Sequence, residues 1–306
     1  MKIAAQPGIS VLMTAFNREK FIAEAIESVL ASGYENFELI IVDDKSSDNT
    51  VSIARRYELT DDRVKVYTNE TNLSQFPNRN KAASLARGKY IKYVDSDDMI
   101  YPWSLEYCVE MMEKYPGAGM GILYTKNKID REYLNPAETI QKNFFESSIL
   151  NIGPVGTILN RELFEKAGYF NSNYGVPSDM YCNLKMASLY PTVLLNKDFF
   201  FYRVHEGQEF NNRYSYLCYN YKYLSDAINL PGFPLSTKQK RFLLHKAECY
   251  YVKDLLVYLK NTKKLKSTIA AFSVSGMNTF KLLRGLSNLV LAKCGFQKFK
   301  PVDSGI

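Results

Sequence analysis

Residues 90–102 read YIKYVDSDDMIYP, an apolar run rich in β-branched and aromatic residues that ends in three carboxylates within four positions, Asp95, Asp97 and Asp98. Carboxylates this close repel one another and raise one another's pKa, so the pattern calls for a positive partner, either Lys or Arg or a metal ion. Two more polar clusters follow apolar runs: Thr14-Ala15-Phe16-Asn17 after ISVLM (9–13), and Asp43-Asp44-Lys45-Ser46-Ser47-Asp48 after FELIIV (37–42). Taken singly, each acidic cluster also fits a turn and the start of a helix, where capping and the helix dipole favour acids. Taken together at neighbouring strand ends, they fit a hard cation, since Mg²⁺ and Mn²⁺ are held by one or two carboxylates plus substrate phosphates.

The elements that must position these clusters alternate. Strand patterns at 9–13, 37–42, 63–67 and 90–94 are separated by helical spacing at about 18–32, 48–58 and 77–87, with Gly33 and Gly88 closing the first and third helices. This order predicts an α/β fold with a mainly parallel sheet and helices on both faces, which binds ligands outside the carboxyl ends of its strands. The first turn lacks GxGxxG and the chain has no GxxxxGK[ST], so no glycine nest is there to hold phosphates. A divalent cation carrying a nucleotide diphosphate is then the partner the carboxylates imply.

The first block, ISVLMTAFNREKFIAEAIESVLASGYENFELIIVDDKSSDNT, resembles the opening of the inverting glycosyltransferases of family 2, in which a strand ends in T/P-x-Y-N and a helix leads to VDDGSTDNT. RNKAASLARGKYIKYVDSDD resembles the family's second block, an RN pair (here Arg79-Asn80), a helix, a Gly and a strand ending in D-x-D-D. The resemblance covers roughly residues 8–205. It implies a GT-A fold (Rossmann-like) with a nucleotide-sugar donor, UDP-linked in the first instance, and Mn²⁺ or Mg²⁺. Thr14, Phe16 and Asn17 would then lie beside the base, with Asp43 and Asp44 in the same site and Asp44 accepting from the base edge. Asp95 and Asp97 would contact the ribose and diphosphate, Asp97 and Asp98 would hold the metal, and Arg79 and Asn80 would complete the donor site. Phe16 stands where the family has Tyr, and Lys45 where it has Gly.

Residues 156–187 resemble the family's acceptor-side block, where an acidic pair opens a helix. Ser178-Asp179 occupies that place, which implies Asp179 as general base in a single displacement. FYRVHEGQ (201–208) resembles the segment that closes over the diphosphate, making Arg203 and His205 phosphate or metal contacts. The acceptor implied is a saccharide or lipid-linked saccharide used in building a cell-surface polysaccharide, with its recognition expected in the 115–175 region. Two rival readings are a sugar nucleotidyltransferase, which expects a Gly-rich basic loop where TAFNREK stands, and a sugar-nucleotide-binding protein without turnover.

Composition bounds the rest. The 306 residues carry a net charge of +7, but residues 235–306 hold 14 Lys and Arg against 3 Asp and Glu, while residues 1–234 hold 25 against 29. This predicts a catalytic domain over 1–230 and a basic, mostly helical extension over 235–306, with Pro231-Gly232-Phe233-Pro234 as a hinge. In the extension, Leu282, Leu283, Leu286, Leu289 and Val290 fall on one helical face flanked by Lys281, Arg284 and Lys293. Such a face suits peripheral contact with an anionic membrane, or packing against the catalytic domain. No nucleic-acid motif accompanies the charge. Cysteines at 108, 182, 218, 249 and 294 form no CxxC pair, so a reduced, cytoplasmic setting is expected, at the inner face of the cell membrane. The opening residues do not follow the pattern of a secretory leader, and no uncharged apolar run reaches a membrane span's length.

Overall fold

The computed structural model describes residues 6–125, 131–204 and 213–293. Strands β1 (Ile9–Ala15), β2 (Phe37–Asp43), β3 (Val64–Thr68) and β4 (Tyr90–Tyr93) alternate with helices α1 (Ile22–Leu30), α2 (Thr50–Thr60) and α3 (Gln75–Leu85). Helix α1 turns Ile22, Ala25, Ile26 and Val29 inward, the 3.6-residue stripe its sequence predicts. It begins four residues later than expected because Arg18 opens a turn, its backbone N–H donating to Thr50 Oγ1 at 2.7 Å. Gly88 enters β4 where no side chain fits, since a Cβ there would lie 2.4 Å from the backbone N of Ser10.

The second half supplies β5 (Met99–Ile100), α4 (Ser104–Lys114), β6 (Met120–Leu123), β7 (Tyr133–Leu134), α5 (Pro136–Phe145), β8 (Thr157–Asn160), α6 (Arg161–Lys166), α7 (Ser178–Leu189), β9 (Thr192–Leu195) and β10 (Phe200–Phe201). The large sheet runs β3-β2-β1-β4-β8-β6-β9-β7. The β3-β2-β1-β4 block is parallel throughout, while β8 runs antiparallel to both of its neighbours, β4 and β6. The chain leaves β1 in one direction to build β2 and β3 and returns on its other side as β4. This is a topological switch point, where a crevice opens at the carboxyl ends of the strands. Ala15 pairs with Asp43, so β1 and β2 end level on that rim.

Helices α8 (Arg213–Ile228), α9 (Thr237–Thr262), α10 (Leu265–Val274) and α11 (Thr279–Lys293) complete the chain. The segment 231–234 is a packed corner: Phe233 is buried and, with Leu243 of α9, joins the core that α5 and α7 share. The far half of α9 packs with α8, α10 and α11 around a smaller core containing Tyr221, Val252 and Leu255. The single apolar face expected of α11 divides in two. Leu282, Leu286 and Leu289 pack onto that core, whereas Leu283 and Val290, with Phe280 and Leu291, face outward. At 100° per residue the apolar arc is too wide for one contact. Arg284, expected to flank the apolar face, donates twice to Glu248, at 2.7 and 2.5 Å. The four described cysteines are buried free thiols. Among the described residues, no helix is long and apolar enough to cross a membrane.

Candidate active site

A cleft of about 1100 Å³ opens at the switch point, lined by Thr14, Phe16, Asp44, Asp95, Asp98 and Asp179 among others. Strands β1, β2 and β4 deliver the first five of these, and the first turn of α7 delivers the sixth.

The three carboxylates after β4 lie within 4.8 Å of one another. Much of the positive charge they require comes from the protein. Arg79 Nη2 donates to Asp95 at 2.6 Å, Arg18 Nε to Asp97 at 3.1 Å, and the Arg203 backbone N–H to Asp98 at 3.0 Å. Arg18 was not singled out by sequence reasoning, although it directly follows Asn17. Asp98 is incompletely satisfied: its Oδ2 is buried with no hydrogen-bond partner among the described residues. Burial first, then the charges of Asp95 and Asp97, push its pKa up to about 7. An orphaned buried carboxylate oxygen beside two more carboxylates fits a divalent cation in ligand chemistry and charge. His205 lies outside the described residues.

Behind the cluster sits a residue that sequence reasoning passed over. Lys92 is fully buried in β4, donates to the carbonyls of Val155 and Tyr93, and lies 4.8 Å from the centre of the Phe199 ring. Burial lowers its pKa to about 8, opposed by Cys108, Asp95 and Asp98. A Lys inside an otherwise apolar strand was the available signal, because charges are rarely buried without a partner.

The β1 and β2 loops are tied to each other. Asn17 donates through its backbone to Ser46 Oγ at 2.8 Å and accepts from the Ser47 N–H at 2.9 Å, taking φ +52 to do so. Asp43 closes its own turn, accepting from the backbone and hydroxyl of Ser46 at 2.9 and 2.5 Å, and does not line the cleft. Asp44 does line it, yet already accepts from Asn69, Leu73 and Ser74 at 2.7 to 2.9 Å. Its carboxylate therefore shapes the 69–74 loop as well as facing the cleft. Asn80 points elsewhere: its amide exchanges hydrogen bonds with the backbone of Phe170 at 2.8 and 3.0 Å. Arg203 is anchored outside the cleft lining, with Nη2 on Glu24 at 2.5 Å and its guanidinium over Phe21.

Across the cleft, Asp179 Oδ1 accepts from the Met180 N–H at 2.7 Å. Burial raises its pKa to about 7, and Asp95 adds to this, while that N–H and Arg79 pull it back. A carboxylate poised near neutrality is matched to proton abstraction. Arg79 is buried between the two sides, with Nε and Nη1 unpartnered among the described residues.

Residues 10–168, more than half of the chain, match the model described as Glycosyl transferase family 2. The chain belongs to glycosyl transferase family 2. One family relative, from Escherichia coli, is named UDP-Glc:alpha-D-GlcNAc-diphosphoundecaprenol beta-1,3-glucosyltransferase WfgD. It is 28% identical over 228 residues, which cover 73% of this chain and 87% of that protein. Two other relatives are spanned over less than two thirds of their own length, 44% and 65%. Among solved structures, S. aureus TarS 1–349 in complex with UDP-GlcNAc has a TM-score of 0.69 at 17% identity, covering 95% of this chain and 93% of that one. Mannosyltransferase PcManGT from Pyrobaculum calidifontis, in complex with GDP-Man and Mn²⁺, has a TM-score of 0.62 at 16% identity over 95% and 89%. The fold is GT-A, with helices appended at the carboxyl-terminal end.

Proposed function

We propose that this family 2 member is an inverting glycosyltransferase of polysaccharide biosynthesis. It moves a sugar from a nucleotide-diphosphate donor, a UDP-sugar, to a saccharide or lipid-linked saccharide acceptor. The observation that carries this reading is the shared cleft: the Asp95-Asp97-Asp98 cluster with its orphaned oxygen on one wall, and Asp179, raised toward neutrality, on the other. The UDP-linked donor in the name of the Escherichia coli relative and the UDP-GlcNAc bound to TarS support the choice of nucleotide.

In this reading Phe16, nearly half exposed at the end of β1, offers its ring to the base, and Thr14 and Asp44 form the adjacent wall. Asp95, Asp97 and Asp98 would hold Mn²⁺ or Mg²⁺, and such an ion would supply neutralisation of charge on the diphosphate oxygens. Arg18 and Arg79 orient two of those carboxylates, Asp97 and Asp95. Asp179 takes the proton of the acceptor hydroxyl as that oxygen bonds to the anomeric carbon and the nucleoside diphosphate departs, inverting the centre. Lys92 fixes the Val155 carbonyl, and with it the 153–155 wall of the cleft. The outward residues Phe280, Leu283, Val290 and Leu291 support peripheral contact with a membrane, where a lipid-linked acceptor would be met.

The test is a thermal-shift titration with UDP, GDP, CDP and dTDP, with and without Mn²⁺, on the wild type and on Asp98→Ala. At 100 times its dissociation constant a ligand stabilises the folded state by about 2.7 kcal/mol. The expected result is a shift that needs both UDP and metal and disappears in the variant. Absence of a shift with every nucleotide would overturn the donor site.

A further inference from the structure

The donor cleft does not end at Asp179. It meets a second groove of about 820 Å³ between α5, α7, α8 and α9, and Asn151, Met180 and Tyr216 line both. Tyr223 in the groove is near enough to Asp179 that the carboxylate, after burial, helps to push the phenol's pKa up to about 12. The groove therefore starts beside the proposed base and runs away from the donor.

We propose that this groove is the binding channel for an oligosaccharide acceptor, holding several sugar residues behind the one that receives the transfer. The inference rests on the reading of Asp179 as the acceptor-side base. The volume lies high in the roughly 300–1,000 Å³ range of small-molecule sites and exceeds what one pyranose ring fills. The lining decides between a sugar chain and a lipid tail. Tyr216, Tyr223 and Tyr250 line the groove with aromatic rings that carry phenolic groups, beside Phe144, Phe145 and Phe242, and Tyr250 is 52% exposed. Flat aromatic faces match the C–H faces of pyranose rings, and the polar edges match their hydroxyls. Asn220, Lys246 and Asp254 add donors and acceptors along the same walls, with Lys246 Nζ 5.9 Å from the centre of the Tyr250 ring. A polyisoprenoid tail laid there would strip water from Asn220, Lys246 and Asp254, at a cost an aliphatic groove avoids.

The groove's position explains why helices outside the sheet belong to the enzyme. α8 and α9 supply most of its aromatic faces and α5 its opposite wall, so acceptor length is read by the appended helices and donor identity by the strand ends.

The test uses cello-oligosaccharide and chito-oligosaccharide ladders of one to six residues, and an isoprenoid phosphate in detergent, with affinities from ligand-observed NMR on the full chain. Hexasaccharides should bind about tenfold more tightly than monosaccharides, and Tyr250→Ala should remove most of that gain, the loss expected for one stacking contact. Affinity independent of length in both ladders, or a length dependence unchanged in both Tyr250→Ala and Lys246→Ala, overturns the channel. So does binding of the isoprenoid phosphate with neither ladder retained. The UDP and Mn²⁺ thermal shift, measured on the same samples, keeps the two readings apart. If it persists while the ladders fail, only the channel is lost; if it is absent, the donor site fails independently.

Discussion

Two groups of charges in this molecule have opposite characters. In the helical end, Glu248 is almost completely buried and both of its oxygens are taken by Arg284, a closed bidentate pair. At the rim, Asp95, Asp97 and Asp98 accept from separate donors, Arg79, Arg18 and the Arg203 backbone among them, and still, among the described residues, Asp98 Oδ2 and two nitrogens of Arg79 have no hydrogen-bond partner. A closed pair needs nothing more, and its purpose is to hold α11 on α9. An open network keeps polar atoms ready for a ligand, at a cost in stability that the surrounding core must carry. Charge removal should therefore act in opposite directions in the two regions.

The largest effect is expected at Asp179. Asp179→Asn keeps the shape and removes the base, and general-base catalysis contributes about 10²–10⁴-fold, so turnover should fall by that factor in a radiolabelled-donor assay. The same change should stabilise the protein. The folded pKa of about 7 lies above the ordinary 3.8, so the folded state binds the proton more tightly than the unfolded chain. Stability from this group is full below about pH 4 and is lost as pH rises through about 7. Above pH 7 the wild type carries the whole cost of the ionised base, so Asp179→Asn should melt higher at pH 8, by about 1–2 kcal/mol once its opening to the cleft is allowed for. Wild-type rate, measured at saturating Mn²⁺ to keep Asp98 ionised, should rise with pH through about 7 and then level off. A variant that loses rate and melts lower would place Asp179 with the closed pair.

Arg284→Met tests the other side. It strands a buried carboxylate, and breaking a buried pair in this way costs about 3–5 kcal/mol. With Arg284 itself only partly buried, about 2–4 kcal/mol in urea denaturation is expected. The UDP and Mn²⁺ shift should be unchanged, and Glu248→Gln added to Arg284→Met should recover much of the loss. A loss of donor binding would mean that the bundle and the rim are one cooperative site, and the contrast between them would be gone.

The sequence made the rim legible because its carboxylates come in contiguous clusters at the ends of strands whose periodicity is local. The partners of those carboxylates were harder to read. Arg18 and Asp97 are 79 positions apart, and only the switch point between β1 and β4 brings them together. Local chemistry did mark some element starts beyond the first hundred residues. Asn135-Pro136 followed by Glu138 is the capping box that starts α5, and Ser236 with Gln239 starts α9 in the same way. The groove left no such mark, since its walls come from four helices and its aromatic residues read individually as core. On α11 the apolar residues were visible, but which of them face α9 depends on a partner that periodicity does not supply.

The smallest effect concerns backbone strain, and each region offers one lysine in the left-handed conformation. Lys263 takes φ +57 at the end of α9, and Lys45 takes φ +67 in the turn after β2, where the family resemblance expects Gly. For a residue with a Cβ this conformation costs about 1–2 kcal/mol, and glycine's larger loss of chain entropy on folding offsets about 0.5–1 of that. Lys45→Gly and Lys263→Gly should therefore each stabilise by about 0.5–1 kcal/mol, while alanine at either position should gain nothing because the strain remains. The informative comparison is UDP affinity. Lys263→Gly should leave it unchanged, as a helix end far from the rim requires. If Lys45→Gly also leaves it unchanged, the strain at the rim has no part in donor binding. A weaker UDP shift in Lys45→Gly alone would give that ammonium a place in the donor site, and the strain would then belong with the unsatisfied atoms of Asp98 and Arg79 as part of what the rim gives up in stability to bind its ligand.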